Sequence, residues 1–215
     1  MNQNKDQGKI KVGISIGDPN GVGVEIILKI FESKNSFDFF TPFVFSPYQI
    51  LINQKKYFNF STDLNLVSKQ VSPVEGKLNI IQTTGDEGQM DFGEASKISG
   101  GIALKSFLDA AKVLKKGEID ILVTAPFDKS TIQTKEYKFS GHTEYLNQEL
   151  EGESMMLMVS GKLKIALMSE HVPIREISKR LSRKGLIKKI SKLKNTLKLD
   201  FGIINPKIAV LGINP

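Results

Sequence analysis

No cysteine occurs in the 215 residues, which excludes disulfides, thiolate zinc sites and cysteine nucleophiles together and fits a reducing compartment. Any metal site therefore has to draw on His, Asp, Glu or water. Histidine is scarce as well: the chain holds two, His142 and His171, so imidazole chemistry can sit in only two places. No apolar run reaches the roughly eighteen residues of a membrane-spanning helix. The opening stretch MNQNKDQG lacks the apolar core of a secretory signal. The expected location is cytoplasmic, without membrane attachment, and residues 1–9 read as a flexible polar tail.

What is present supports a folded α/β protein. Hydrophobic residues make up 40% of the chain, enough for a core in one large domain or two small ones. The net charge of +7 invites a nucleic-acid reading, yet much of it is local. Arg175 to Lys198 carries ten basic residues against one acidic, Glu176. Within that span Ile177, Leu181, Leu186, Ile190, Leu193 and Leu197 recur at helical spacing, which predicts an amphipathic helical segment with a lysine-rich solvent side. No aromatic residue is interleaved and no binding motif accompanies it, so no nucleic-acid partner is expected. A positive field that draws in an anionic substrate is the weaker functional version.

Along the chain, Ile10 to Ile16, Phe43 to Phe45, Leu78 to Gln82, Ile119 to Thr124, Lys164 to Met168 and Lys207 to Leu211 read as strands. Val24 to Phe31, a Pro47-initiated stretch through Ile52, the segment from Ser96 to a stop at Gly117, and the segment opened by SGHTEYL read as helices. Continuous apolar strands alternating with amphipathic helices predict an α/β fold with a largely parallel sheet covered by helices. Ligands of such sheets bind at the carboxyl ends of strands. The loops after Ile16, Thr124, Met168 and Leu211 are therefore expected to gather near one edge.

Three of those loops hold residues capable of chemistry. GDPNGVG, Gly17 to Gly23, fits neither G-x-G-x-x-G nor G-x-x-x-x-G-K-[ST], and reads as a tight βα turn, with phosphate contact as the alternative. Asp18 in it can orient a neighbour or cap the following helix. In TAPFDKSTI, Lys129 can meet a phosphate or carboxylate as a point charge, while Asp128 can neutralise it or cap a short helix. In KFSGHTEYL, Ser140 or Thr143 is the expected N-cap, which puts His142 at the positive end of a helix. A neutral imidazole is favoured there, either for ligand recognition or as a structural hydrogen-bonder. His171 follows a strand in KIALMSEHVPI, without a second close His or Cys to complete a metal site.

Together, GDPNGVGVE, TAPFDK, FSGHTEYL, MMLM, EHVPIREIS and PKIAVLGINP resemble, in that order, the successive motifs of the 4-hydroxythreonine-4-phosphate dehydrogenases of vitamin B6 (pyridoxal phosphate) biosynthesis. The resemblance runs from Ile10 to Pro215, and Phe31 to Asp91 contributes little to it. It implies a two-domain fold like that of isocitrate and isopropylmalate dehydrogenases, with residues 10–139 as the first α/β domain and 140–215 as the start of the second. It also implies a homodimer, a phosphorylated hydroxy-amino-acid substrate, NAD, and a divalent metal such as zinc, magnesium or cobalt. By resemblance, His142 and Thr143 contact substrate and His171 is a metal ligand, with Asp18 and Lys129 as residues that could organise the site. The catalytic base stays unassigned.

The family pattern continues past the closing Asn-Pro with a His-Ala-Gly-Glu stretch that supplies a second metal histidine, and then with further metal, substrate and cofactor residues. This sequence ends at Asn214-Pro215. The expectation is a C-terminally truncated chain without normal dehydrogenase turnover. A catalytically incomplete phosphate-ester-binding module, and a paralogue acting on another phosphorylated hydroxy acid, are the alternatives.

Overall fold

A computed structural model describes residues 9–68, 72–84, 91–133, 138–139, 141–170 and 172–212. The chain forms two compact units, Met1–Gly152 and Glu153–Pro215. The expected boundary at residue 140 and this one differ by a single helix, which packs on the first unit as described below.

The first unit is built on a five-stranded sheet of β1 (Ile10–Ser15), β2 (Phe40–Ser46), β3 (Leu64–Val67), β4 (Leu78–Gln82) and β5 (Ile121–Thr124), in the order β3-β4-β2-β1-β5. Every pairing in it is parallel. Alternation along the strands sends residues to opposite faces. Val12, Ile14, Val44 and Ile80 pack on one face with Val24, Ile27 and Leu28 of α1 (Gly23–Ile30) and with Ile50 and Leu51 of α2 (Tyr48–Tyr57). On the other face Phe43 and Phe45 meet Ala110 of α3 (Lys97–Lys115) together with Ile119. The result is a three-layer α/β sandwich, as the strand–helix alternation predicts.

Local chemistry sets the ends of these elements. Ser96 caps α3 by accepting from the Ser99 amide at 3.0 Å, and Ser99 Oγ accepts in return from the Ser96 amide at 3.3 Å. This is a reciprocal N-terminal cap. Gly117, at φ +71°, ends the helix with its amide bonded to the Leu114 carbonyl at 2.9 Å. The helix is fixed to the sheet by Ser106, whose fully buried hydroxyl donates to the Phe45 carbonyl at 2.6 Å and accepts from the Ile16 amide at 3.0 Å.

Chain order reverses direction across the sheet at β1. Its helix-linked neighbour β2 lies on one side, and β5, reached through α3, lies on the other. Parallel sheets open a crevice for ligands at such a point. The loops after β1 and β5 meet there, with the Asp18 amide bonded to the Pro126 carbonyl at 2.9 Å. After the β5 loop comes α4 (His142–Glu149), whose Tyr145 and Leu146 pack on Leu104, Phe107 and Ile132.

The second unit holds an antiparallel hairpin of β6 (Leu157–Ser160) and β7 (Leu163–Ala166), followed by α5 (Ile174–Arg180) and α6 (Arg183–Leu199). Two expectations need correction here. Arg175 to Lys198 is two helices, because Leu181 and Ser182 are extended and Ser182 caps α6 by accepting from the Gly185 amide at 3.0 Å. Lys207 to Leu211 is not a strand: it pairs with no partner among the described residues, and Leu211 is 89% exposed. The expected apolar side of α6 is present, with Leu186, Ile190, Leu193 and Leu197 lining a groove of about 750 Å³ beside β7. Among the described residues no helix is long and apolar enough to cross a membrane.

Candidate functional site

Two of the three glycines after β1, Gly17 and Gly23, stand in close packing. A Cβ on Gly17, which sits at φ +67°, would lie 2.1 Å from the Pro126 carbonyl oxygen, and one on Gly23 would lie 2.5 Å from the Ile16 carbonyl oxygen. The space a phosphate cradle would use at these two positions is filled by the protein's own backbone, which supports the tight-turn reading of GDPNGVG.

Asp18 is the knot of this turn. It is 7% exposed, and its carboxylate accepts from the Asn20 amide at 2.8 Å and from Ser99 Oγ at 3.1 Å. It does not cap α1, whose N-cap position is Val22. Asn20 extends the network by donating to the Glu94 carbonyl at 2.9 Å, and Gln54 Nε2 donates to the Pro19 carbonyl at 2.6 Å. Three neighbouring segments thus hold the loop against the end of the sheet. Between it and the β5 loop lies a shallow cleft of about 350 Å³, lined in part by Asp18, Asn20, Glu94, Phe127 and Asp128.

The β5 loop corrects another expectation. Residues 128–131 form a turn and no helix. Asp128 Oδ1 accepts from the amide and the hydroxyl of Ser130, each at 2.7 Å, and these bonds hold its carboxyl below the usual carboxylate range. It forms no ion pair with Lys129 among the described residues. The lysine stem lies at the start of α4, since a Cβ placed on Gly141 would meet Lys129 Cε at 3.7 Å. A cationic side chain therefore stands beside the amino end of that helix.

His142 is the first residue of α4, and Gly141, with an extended backbone, is its N-cap. Thr143 is in the first turn and exposed, so it is not the cap; Ser140 lies outside the described residues. The imidazole is wedged among aromatics, with ring centroids 4.0 Å from Phe127 and 4.6 Å from Phe107. Its Nε2 is buried and meets no hydrogen-bond partner. Burial, and after it the positive charge of Lys129, push the imidazole down from 6.5 to about 4. At neutral pH it is an uncharged ring.

That depression carries a linkage prediction. Between pH 6.5 and about 4 the unfolded chain binds a proton that the folded chain refuses. Stability should therefore fall as pH drops through this window and level off below it. After allowance for solvent screening around a half-buried ring, the loss is on the order of 1–2 kcal/mol. Urea unfolding of wild type and His142→Gln across the window checks it: the variant should lose this part of the acid dependence.

The structure brings His142, Thr143 and Lys129 together at the start of α4, and puts Asp18 across the cleft-forming contact between the two loops. His171, the expected metal ligand, lies outside the described residues. Among those residues no group of three or more His, Cys, Asp or Glu side chains could hold a metal ion. Phe107 and Phe127 are absent from the sequence reading of the site. Phe127 has one sequence signal, its aromatic ring in the TAPFDK loop at a strand end, and Phe107 has none beyond a core position in α3.

The family described as Pyridoxal phosphate biosynthetic protein PdxA matches residues 38–215. The chain belongs to this family. The PdxA family's 4-hydroxythreonine-4-phosphate dehydrogenase from Bacteroides thetaiotaomicron is 33% identical over 212 residues, covering 98% of this chain and 58% of the relative. A relative from Oceanobacillus iheyensis, provisionally named D-threonate 4-phosphate dehydrogenase, is 29% identical over 208 residues, covering 95% of this chain and 62% of its own. In fold, the crystal structure of a 4-hydroxythreonine-4-phosphate dehydrogenase from Burkholderia phymatum superposes with a TM-score of 0.81 at 24% identity, over 97% of this chain and 64% of that one. The chain thus spans about 60% of the length of the PdxA relatives it matches.

Proposed function

We propose that this chain supplies the phosphate-ester-binding part of an NAD-dependent oxidation of 4-phosphooxy-threonine in pyridoxal phosphate biosynthesis, carried out in the cytoplasm by a homodimer. The observation that carries the reading is the uncharged His142 with an unpartnered buried Nε2, next to Lys129, which forms no ion pair among the described residues, beside the loop that follows β5 at the switch point of a PdxA-family sheet. Lys129 meets the substrate phosphate or carboxylate as a point charge. His142 and the Thr143 hydroxyl hydrogen-bond the substrate and orient it, and a bond to Nε2 relieves the cost of leaving that atom unpaired. Asp18, through Pro126, holds the β5 loop in place without touching substrate.

In the reaction the substrate carbon bearing the free hydroxyl gives up a hydride to NAD and the hydroxyl gives up a proton. The β-keto acid so formed loses carbon dioxide to leave 3-amino-2-oxopropyl phosphate. A divalent cation, zinc, magnesium or cobalt, would supply Lewis-acid polarisation when bound. His171 is the one residue assigned to it here, and the described residues do not by themselves make a metal centre. The second unit is read as the beginning of the second α/β domain.

A second reading has specific support in the relative provisionally named D-threonate 4-phosphate dehydrogenase. That substrate carries a hydroxyl where 4-phosphooxy-threonine carries an ammonium group. The test is an NADH-absorbance assay of the longest product of the natural reading frame, with a divalent metal and each substrate in turn. Turnover of 4-phosphooxy-threonine that collapses in His171→Ala is the expected result. Turnover of D-threonate 4-phosphate alone moves the assignment to the second reading, and NADH from neither contradicts both.

A further inference from the structure

We propose that Phe127 is a positioning residue for His142, fixing the plane of the imidazole from a loop whose own place is set by the turn after β1. The ring of Phe127 lies 4.0 Å from the imidazole at an interplanar angle of 39°, and Phe107 closes the wedge at 4.6 Å and 77°. The two phenylalanines are themselves 6.4 Å apart. Phe107 is fully buried in α3 and has no freedom to follow the site. Phe127 is different: it is half-buried, it lines the cleft, and it comes directly after Pro126, whose carbonyl is held by the Asp18 amide at 2.9 Å.

The turn at Gly17 and Asp18 therefore reaches His142 through one aromatic side chain. With that ring in place, water is kept off the imidazole and Nε2 is held in a single orientation. Without it, the imidazole rotates and hydrates, and a ligand that meets Nε2 has to order it again. Lys129 is the charge that acts on the ring. Other titratable groups on the packed elements are Asp128 on the β5 loop, Glu144, Glu149 and Tyr145 on α4, the Tyr145 phenol being raised by burial and then by Glu149, and Lys97, Lys105, Asp109, Lys112 and Lys115 on α3.

The inference rests on the substrate reading above only for its ligand arm. With two histidines in the chain, the imidazole resonances of His142 and His171 are assigned by single His→Gln variants. In wild type, His142 should show a nuclear Overhauser contact to Phe127 and titrate near 4. In Phe127→Leu its midpoint should rise by about one unit or more, a tenfold change in proton affinity. Phe127→Tyr, which keeps the ring, should restore it. Phe31→Leu, a ring lost from the distant α1 side of the sheet, should leave it unchanged.

Calorimetry with 4-phosphooxy-threonine should show binding to Phe127→Leu about tenfold weaker than to wild type. A folded Phe127→Leu chain with the wild-type midpoint, an equal shift in Phe31→Leu, or no contact between the two rings overturns the proposal. Absence of ligand binding by wild type rejects the substrate reading alone, and the titration still decides the role of Phe127.

Discussion

Gly17→Ala is expected to lower the stability of the first unit by about 2–5 kcal/mol, from the cost of left-handed backbone for a non-glycine residue together with overpacking. The backbone there sits at φ +67°, and the added methyl would lie 2.1 Å from the Pro126 carbonyl oxygen and 2.9 Å from the Ala125 carbonyl carbon. Both atoms are main chain, so no side chain can swing aside to make room. The loop after β5 has to move. That movement breaks the bond from the Asp18 amide to Pro126 and carries Phe127 away from His142. Urea unfolding of the variant measures the loss, and a midpoint equal to wild type would show that the two loops do not pack as described.

Phe107→Ala should cost about 3–5 kcal/mol, the range for deleting a buried aromatic ring. Phe107 is fully buried, with Leu104 and Ile132 beside it in one cluster. Its ring also lies 5.3 Å from Tyr145 and 4.6 Å from His142. The cavity left behind would open under α4, so the effect extends to the site: the His142 titration midpoint should rise as water reaches the ring. Phe107→Leu keeps most of the volume and should cost far less. A Phe107→Ala chain with wild-type stability would mean that α4 is not seated on α3.

How far these features were legible depends on what each one rests on. β1 and β4 were readable because their runs IKVGIS and LNIIQ are rich in β-branched residues and bounded by turn signals. β3 escaped notice because LNLV is a four-residue edge strand whose pattern is too short to count. KIAVL reads as a strand from composition, yet a strand exists only where another chain segment accepts its hydrogen bonds. The break between α5 and α6 turns on Ser182, a residue that competes for backbone amides and so starts a new helix within an otherwise continuous apolar period.

For the site, charged and imidazole residues announced themselves, and the parallel-sheet rule put the Asp18 and Lys129 loops at one edge. The aromatic wedge did not announce itself, because Phe107 looks like any core position of an amphipathic helix. Nor could spacing show that Asp128 would spend its carboxylate on Ser130 and not on Lys129. These outcomes are choices among local hydrogen bonds of similar strength, which three-dimensional packing decides.

The proposed site depends on His142 as an uncharged ligand-binding group, and calorimetric titration of the chain with 4-phosphooxy-threonine at neutral pH tests this most directly. The prediction is saturable binding to wild type that weakens tenfold or more in His142→Ala, about 1.4 kcal/mol. Equal affinity in the two proteins, or no saturable binding to wild type, would contradict it.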